Sequence, residues 1–206
     1  AFVLATVLEF FLAILLKRVV IGRIKPGIYP LWGYTYFRWW LGDRLLESLP
    51  LYMLSGSSLY PWWLRLLGAQ IGTETVIGST IVRVPELLHI GAGSSVGNGV
   101  NFDNARVAGG RLHIGRIHIG DNCGIASYVT LEGDTQVQNW AHLEGQSALL
   151  QGQCIPPGRV WAGSPAQDVG AFDANGLAPR PVSGPVRKLA EAGFYWLGAL
   201  GMAIVF

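Results

Sequence analysis

A period of six residues constrains this chain more than any other feature. From Ile119 onward an aliphatic or aromatic residue returns at every sixth position, through Ile125, Leu131, Val137, Leu143, Leu149, Ile155 and Trp161. Four residues after each of the first five stands a small or β-branched one: Cys123, Val129, Thr135, Ala141 and Ser147. The same register runs earlier through Ile71, Ile77, Ile90, Val96 and Phe102. Such a period fits neither the 3.6-residue helix nor two-residue strand alternation. It predicts a chain that coils with one short strand and one turn per hexapeptide, its anchors inward and stacked coil upon coil. Small residues belong where the walls converge, and Gly, Asn and Asp at turns that need positive φ. The 28 glycines among 206 residues, about twice the usual share, agree with a turn-rich structure and not with a helical bundle. The fold expected over residues 67–170 is mainly β: a parallel β-helix of hexapeptide repeats, left-handed in families that use this period.

The register breaks twice. Ile90 stands one position further from Ile77 than two hexads allow, and the stretch between them contains Pro85. Ile119 stands one position short of three hexads after Phe102, and that stretch contains Asn104 through Gly110. Interruptions of a repeat mark loops thrown off one face, where function collects. The second break is therefore the expected site.

The flanks differ from this middle. Hydrophobic residues make up 50% of the chain and charged ones 14%, against roughly 25% charged in an ordinary domain. Within residues 1–26 the run Ala1 to Leu16 is apolar except for Glu9 and stops at Lys17-Arg18; within residues 189–206 a second run, Ala190 to Phe206, follows Arg187-Lys188. Both runs are short of the ~20 residues that a span needs. They read as transmembrane helices cut at their ends, and otherwise as buried core helices. The chain is accordingly read as a piece of a larger protein. The basic residues at both borders would place the stretch between on the cytoplasmic side of the inner membrane, in a multi-pass arrangement. Over 27–66 aromatics crowd and alternate with charges, as in an amphipathic segment at the lipid headgroups. Residues 171–188, rich in Pro, Gly and Ala, read as a linker. A net charge of +2 gives no support for a nucleic-acid partner. Two cysteines exclude a four-thiolate metal site, and no P-loop or zinc-ligand spacing appears.

The stretch Ile119-Gly120-Asp121-Asn122-Cys123-Gly124 and the terminal Trp161-Ala162-Gly163-Ser164-Pro165-Ala166 resemble hexapeptide-repeat acyltransferases. A closer resemblance covers residues 27–170. Pro30-Leu31-Trp32, Arg38-Trp39-Trp40-Leu41, Asp43-Arg44-Leu45, Leu64-Arg65-Leu66-Leu67-Gly68-Ala69-Gln70-Ile71-Gly72 and Pro85-Glu86-Leu87-Leu88-His89-Ile90-Gly91 look like the membrane-bound C-terminal region of polylysine-synthetase-type nonribosomal peptide synthetases. That resemblance implies tandem β-helix domains between membrane helices, joining amino acids delivered as thioesters. The donor would be the phosphopantetheine arm of a carrier protein, or coenzyme A, with no tightly bound cofactor. Partners would be a carrier-protein thioester or acyl-CoA, sibling β-helix domains in a trimer or pseudo-trimer, and the lipid bilayer. The groove for the donor arm would lie beside Trp161, Gly163, Ser164, Pro165 and Ala166. One departure stands out. Some domains of the family carry Thr-His-x-x-Glu just before the coil at Ile119, and this chain has Asn104-Ala105-Arg106-Val107-Ala108 there.

Attack of an amine on a thioester needs a base, oxyanion donors and a donor groove. His113 and His118 flank the second break and are the candidate bases. Asp103 and Asn104 could orient a base or bind the amine, and Arg106 and Arg111 could hold a carrier phosphate. His89 and His142 read as structural, and Cys123 as buried and inert. Two functions follow: an acyl- or aminoacyl-transferring domain, or a non-catalytic scaffold packing against catalytic siblings.

Overall fold

Ile119 pairs with Val137 on the next coil, and Val137 with Ile155 on the one after, each three hexads further along the chain. One coil is thus three hexads, and the coil has three faces. The computed structural model describes residues 2–173 and 184–205. Helix α1 (Phe2–Leu16) runs into a π-helical turn (Lys17–Ile21), followed by strand β1 (Gly27–Pro30), α2 (Tyr34–Glu47), a 3-10 turn (Leu51–Met53) and α3 (Leu59–Leu66). The first coil is β2 (Gln70–Ile71), β3 (Val76–Ile77) and β4 (Ile81–Val82); the second is β5 (Leu88–Ile90), β6 (Ser95–Val96) and β7 (Asn101–Asp103). A hairpin, β8 (Ala105–Ala108) and β9 (Arg111–Ile114), interrupts the winding. It resumes with β10 (Ile117–Ile119), β11 (Gly124–Ile125) and β12 (Thr130–Glu132), then β13 (Thr135–Val137), β14 (His142–Leu143) and β15 (Ala148–Leu149). The last coil is β16 (Cys154–Ile155) and β17 (Arg159–Ala162), on which β18 (Gln167–Ala171) folds back; α4 (Pro185–Val205) follows.

Parallel sheets form the three faces. The first is ordered β16-β13-β10-β5-β2, the second β17-β14-β11-β6-β3 with antiparallel β18 at its edge, and the third β15-β12-β7-β4. The anchors are the core: Ile90, Ile119, Val137 and Ile155 on the first face, Val96, Ile125 and Leu143 on the second, Phe102, Leu131 and Leu149 on the third are all buried. Positive φ falls at Asn122, Tyr128, Asp134, Trp140, Gln146, Gly152 and Gly158, the third position after each anchor. Corners between faces carry the small residues. Ser94 Oγ donates to Gly120 O at 2.8 Å and Cys123 Sγ to Gln138 O at 3.0 Å, so each of these corners is hydrogen-bonded to the next coil. Burial pushes the Cys123 thiol up, which keeps it a small core side chain. Gly91 is required by close approach: a Cβ there would lie 2.5 Å from the Gly120 carbonyl carbon.

Both breaks resolve into specific devices. In the first, the third-face anchor is Val82, paired with Phe102, one position earlier than the register expects. The surplus is absorbed by a 3-10 turn at Pro85–Leu87. In the second, Ile90 and Ile119 are partners on neighbouring coils, yet the chain between them is longer than a regular coil by nearly two hexads. That insertion is a paired hairpin and not an open loop. Its β9 also pairs with β1, Ile28 opposite His113, to give a three-stranded antiparallel sheet. The underside of that sheet, Ala105, Leu112 and Ile114, packs on Ile21, Ile24, Trp39 and Val84. A buried ion pair joins the same seam: Lys17 Nζ lies 2.8 Å from Glu86 Oε1, with 7% and 8% of the two side chains exposed. The Ile24 N–H donates to the same oxygen at 2.8 Å.

Among the described residues no helix is long and apolar enough to cross a membrane. Helix α1 has 15 residues, and the 21-residue α4 opens on Arg187, Lys188 and Glu191. They do pack against each other. The segment 27–66 is a strand, two helices and a 3-10 turn. Trp39 and Leu46 of α2 are buried, while Tyr34, Phe37 and Trp40 form an exposed aromatic row beside exposed Trp32. Most of the linker expected over 171–188 lies outside the described residues.

Candidate active site

On the first face, the residue before each anchor points outward. Gln70, His89, His118, Gln136 and Cys154 therefore form one column across β2, β5, β10, β13 and β16. His89 and His118 stack, with ring centroids 4.3 Å apart and planes 11° from parallel. His89 Nδ1 lies 3.1 Å from Gln70 Oε1. Toward an amide oxygen, a neutral His89 ring donates from Nδ1 and presents Nε2 as its acceptor. Burial, seconded by the charge of His118, lowers the His89 pKa below the usual imidazole value against the opposing pull of Asp121. An imidazole whose pKa is lowered and which is held by a neighbour on an outward face has the properties of a general base. His118→Ala should raise the His89 pKa, because one of its two depressing influences is removed. Imidazole C–H shifts followed by NMR across the acid-to-neutral range read this directly; an unchanged or lower value would mean that the stack carries no electrostatic coupling.

Of the residues named at the second break, His118 stands in this column and the others lie elsewhere. His113 lies on the hairpin, opposite Arg106 on one side and Ile28 on the other. Arg106 pairs with Glu132 at 2.8 Å. Arg111 is exposed in β9, opposite Pro30. Asp103, at the end of β7, is 3.3 Å from Arg83 Nε. Burial raises its pKa, Arg83 opposes this, and Glu132, level with it on the next coil, adds to it. Asn104 is fully buried, its Nδ2 donating to Val84 O at 2.8 Å and its Oδ1 accepting from Val84 N at 3.1 Å. That geometry makes it a latch between the hairpin root and the end of the first coil. Asn104→Ala should cost about 2 kcal/mol through the unpaired Val84 groups, read as a lowered denaturant midpoint. Lost activity at unchanged stability would instead give Asn104 a direct chemical part.

Trp161 is the last second-face anchor, partly buried against the core. After it Gly163 adopts φ +98°, Ser164-Pro165 is a cis peptide, and Ala166 is buried. Gly163 N donates to Ser147 Oγ at 3.0 Å and Ala166 N to Ala148 O at 2.8 Å, which ties this turn to the third-face strand β15. It lies two coils beyond His118 and on another face. One copy of the coil therefore does not bring the histidine column and this turn into one groove.

His142 reads as expected from the sequence, stacked on Phe172 at 3.5 Å. His89 does not, since its place beside His118 makes it part of the candidate site. The tripeptide His-Ile-Gly occurs at His89, His113 and His118, and the pairing of β5 with β10 puts the first and the last at equivalent points of successive coils.

No family model matches the chain. It is 42% identical over 199 residues to the delta-poly-L-ornithine synthetase of Acinetobacter baumannii (strain AB307-0294), a match covering 96% of this chain and 15% of that protein. Among solved structures, a galactoside acetyltransferase in complex with coenzyme A superposes with a TM-score of 0.54 at 14% identity, over 77% of this chain and 95% of that one. A hexapeptide-repeat acetyltransferase from Vibrio cholerae gives 0.50 at 14% identity, over 64% of this chain and 90% of that one. The fold is that of the hexapeptide-repeat acetyltransferases. The chain spans about 15% of the length of the delta-poly-L-ornithine synthetase that it matches.

Proposed function

We propose that this domain transfers an acyl or aminoacyl group from a thioester to an amine, as one β-helix unit of a larger polyamino-acid synthetase. The observation that carries the reading is the His89–His118 stack, with His89 Nδ1 against Gln70 Oε1; the 42% identity to a polyornithine synthetase supports the substrate class. The amine attacks the thioester carbonyl, and a face histidine takes the proton that the nitrogen sheds. Collapse of the tetrahedral intermediate forms the amide and expels the thiolate, which recovers that proton as a thiol. The donor is the phosphopantetheine arm of a carrier protein, or coenzyme A, lying along the Gly163–Ala166 turn of a neighbouring β-helix. The neighbour is a sibling domain in a trimer or pseudo-trimer, since the two halves of the site stand on different faces. The exposed row Tyr34, Phe37 and Trp40, with Phe11 and Leu15 on α1, rests on the cytoplasmic surface of the inner membrane.

Gly163 tests the donor groove. Its φ of +98° is a conformation that a β-branched residue rarely adopts. Gly163→Val in the intact parent protein should raise the donor concentration needed for half-saturation about tenfold at unchanged fold. Unaltered donor saturation would remove the groove from this turn.

A further inference from the structure

The seam between α2 and the first coil, on the third face and apart from the histidines, holds a cavity of about 380 Å³ walled by Leu46, Leu49, Leu51 and Ile81, with Asp43, Glu47 and Arg83 as its charged lining. Asp43 is the deepest of these, with 7% of its side chain exposed. Its Oδ2 accepts from Arg44 at 2.7 Å, but its Oδ1 is 3.4 Å from Arg83, well beyond the roughly 2.7–2.9 Å of a strong charge-assisted bond. Arg83 is shared with Asp103 at 3.3 Å, and Arg44 with Glu47 at 2.6 Å. Three carboxylates thus divide two guanidiniums, and one negative charge is left over. Neither arginine is free to hold an anion. The loosely held Asp43 Oδ1 is an acceptor beside apolar walls, a combination that suits a cation on an aliphatic stem.

We propose that this cavity binds a primary alkylammonium ion, its stem against Leu46, Leu49 and Ile81 and its N–H groups donating to Asp43 Oδ1 and Glu47. The site is distinct from the histidine face, and its occupancy does not depend on transfer chemistry there. Titration calorimetry on the full chain with n-hexylammonium, against hexan-1-ol and hexanoate as neutral and anionic counterparts, tests it. Saturable binding of the ammonium is expected, with both counterparts at least about tenfold weaker. Asp43→Asn should weaken binding by a similar factor. Should that variant fail to fold, exposed Glu47→Gln should weaken binding several-fold, and Ile81→Trp, which fills the cavity from the sheet surface, should abolish it. Equal binding of hexan-1-ol, no saturation at millimolar concentration, or indifference to both Glu47→Gln and Ile81→Trp would overturn the proposal.

Discussion

Leu143→Asp should unfold the coil. Leu143 is 1% exposed and stands in register between Ile125 and Trp161 on the coils before and after it. Its neighbours in the core are apolar, so a carboxylate there has no cation and must either stay ionised in a low dielectric or take up a proton. Either course costs several kcal/mol, a large part of the roughly 5–15 kcal/mol that typically separates folded from unfolded chains. A repeat structure loses more than one contact when a rung fails, because each coil is stabilised by its neighbours. Gln136→Asp, on the outward position of β13 just before the anchor Val137, should change stability by less than about 1 kcal/mol. Chemical denaturation followed by circular dichroism compares the two. Equal damage would mean that the inward and outward positions are assigned wrongly.

The sequence carries the coil because each rung asks for the same few things at fixed spacing. An inward aliphatic, a small corner residue and a turn residue recur together from Ile119 onward, and the structure has all three there. The breaks are less legible, since they depend on pairings that no local pattern announces. Val82 replaces the expected third-face anchor because it reaches the core one position early, while Arg83 turns out to Asp43 and Asp103. The hairpin is hidden by its partner: Gly27–Pro30, which opens the aromatic segment 27–66, pairs with β9, far along the chain. The candidate site is obscured for the same reason. Until the insertion is recognised as a hairpin, the coil equivalence of His89 and His118 cannot be counted. Within the break itself, the amide of Asn104 is wholly engaged by Val84. Composition alone marks the apolar flanks, and their described helices fall short of a span in length or carry charges near their start.

The His89→Ala and His118→Ala double substitution, made in the intact parent protein, is the measurement closest to the central claim. Both side chains point outward from the first face, so the coil and its stability should survive their removal. Removing a general base typically lowers a rate by a factor of about 10² to 10⁴. The single substitutions should show which ring accepts the proton: loss with His118→Ala alone makes that ring the base and His89 the residue that positions it. His113→Ala, on the hairpin, should leave the rate within about threefold of the parent's, as expected of a residue outside the reacting groups. If the histidine face performs the transfer, product formation by the double variant falls by at least about 10² while its melting temperature is unchanged. Undiminished synthesis by a well-folded double variant would contradict the account and leave the domain as a scaffold for its siblings.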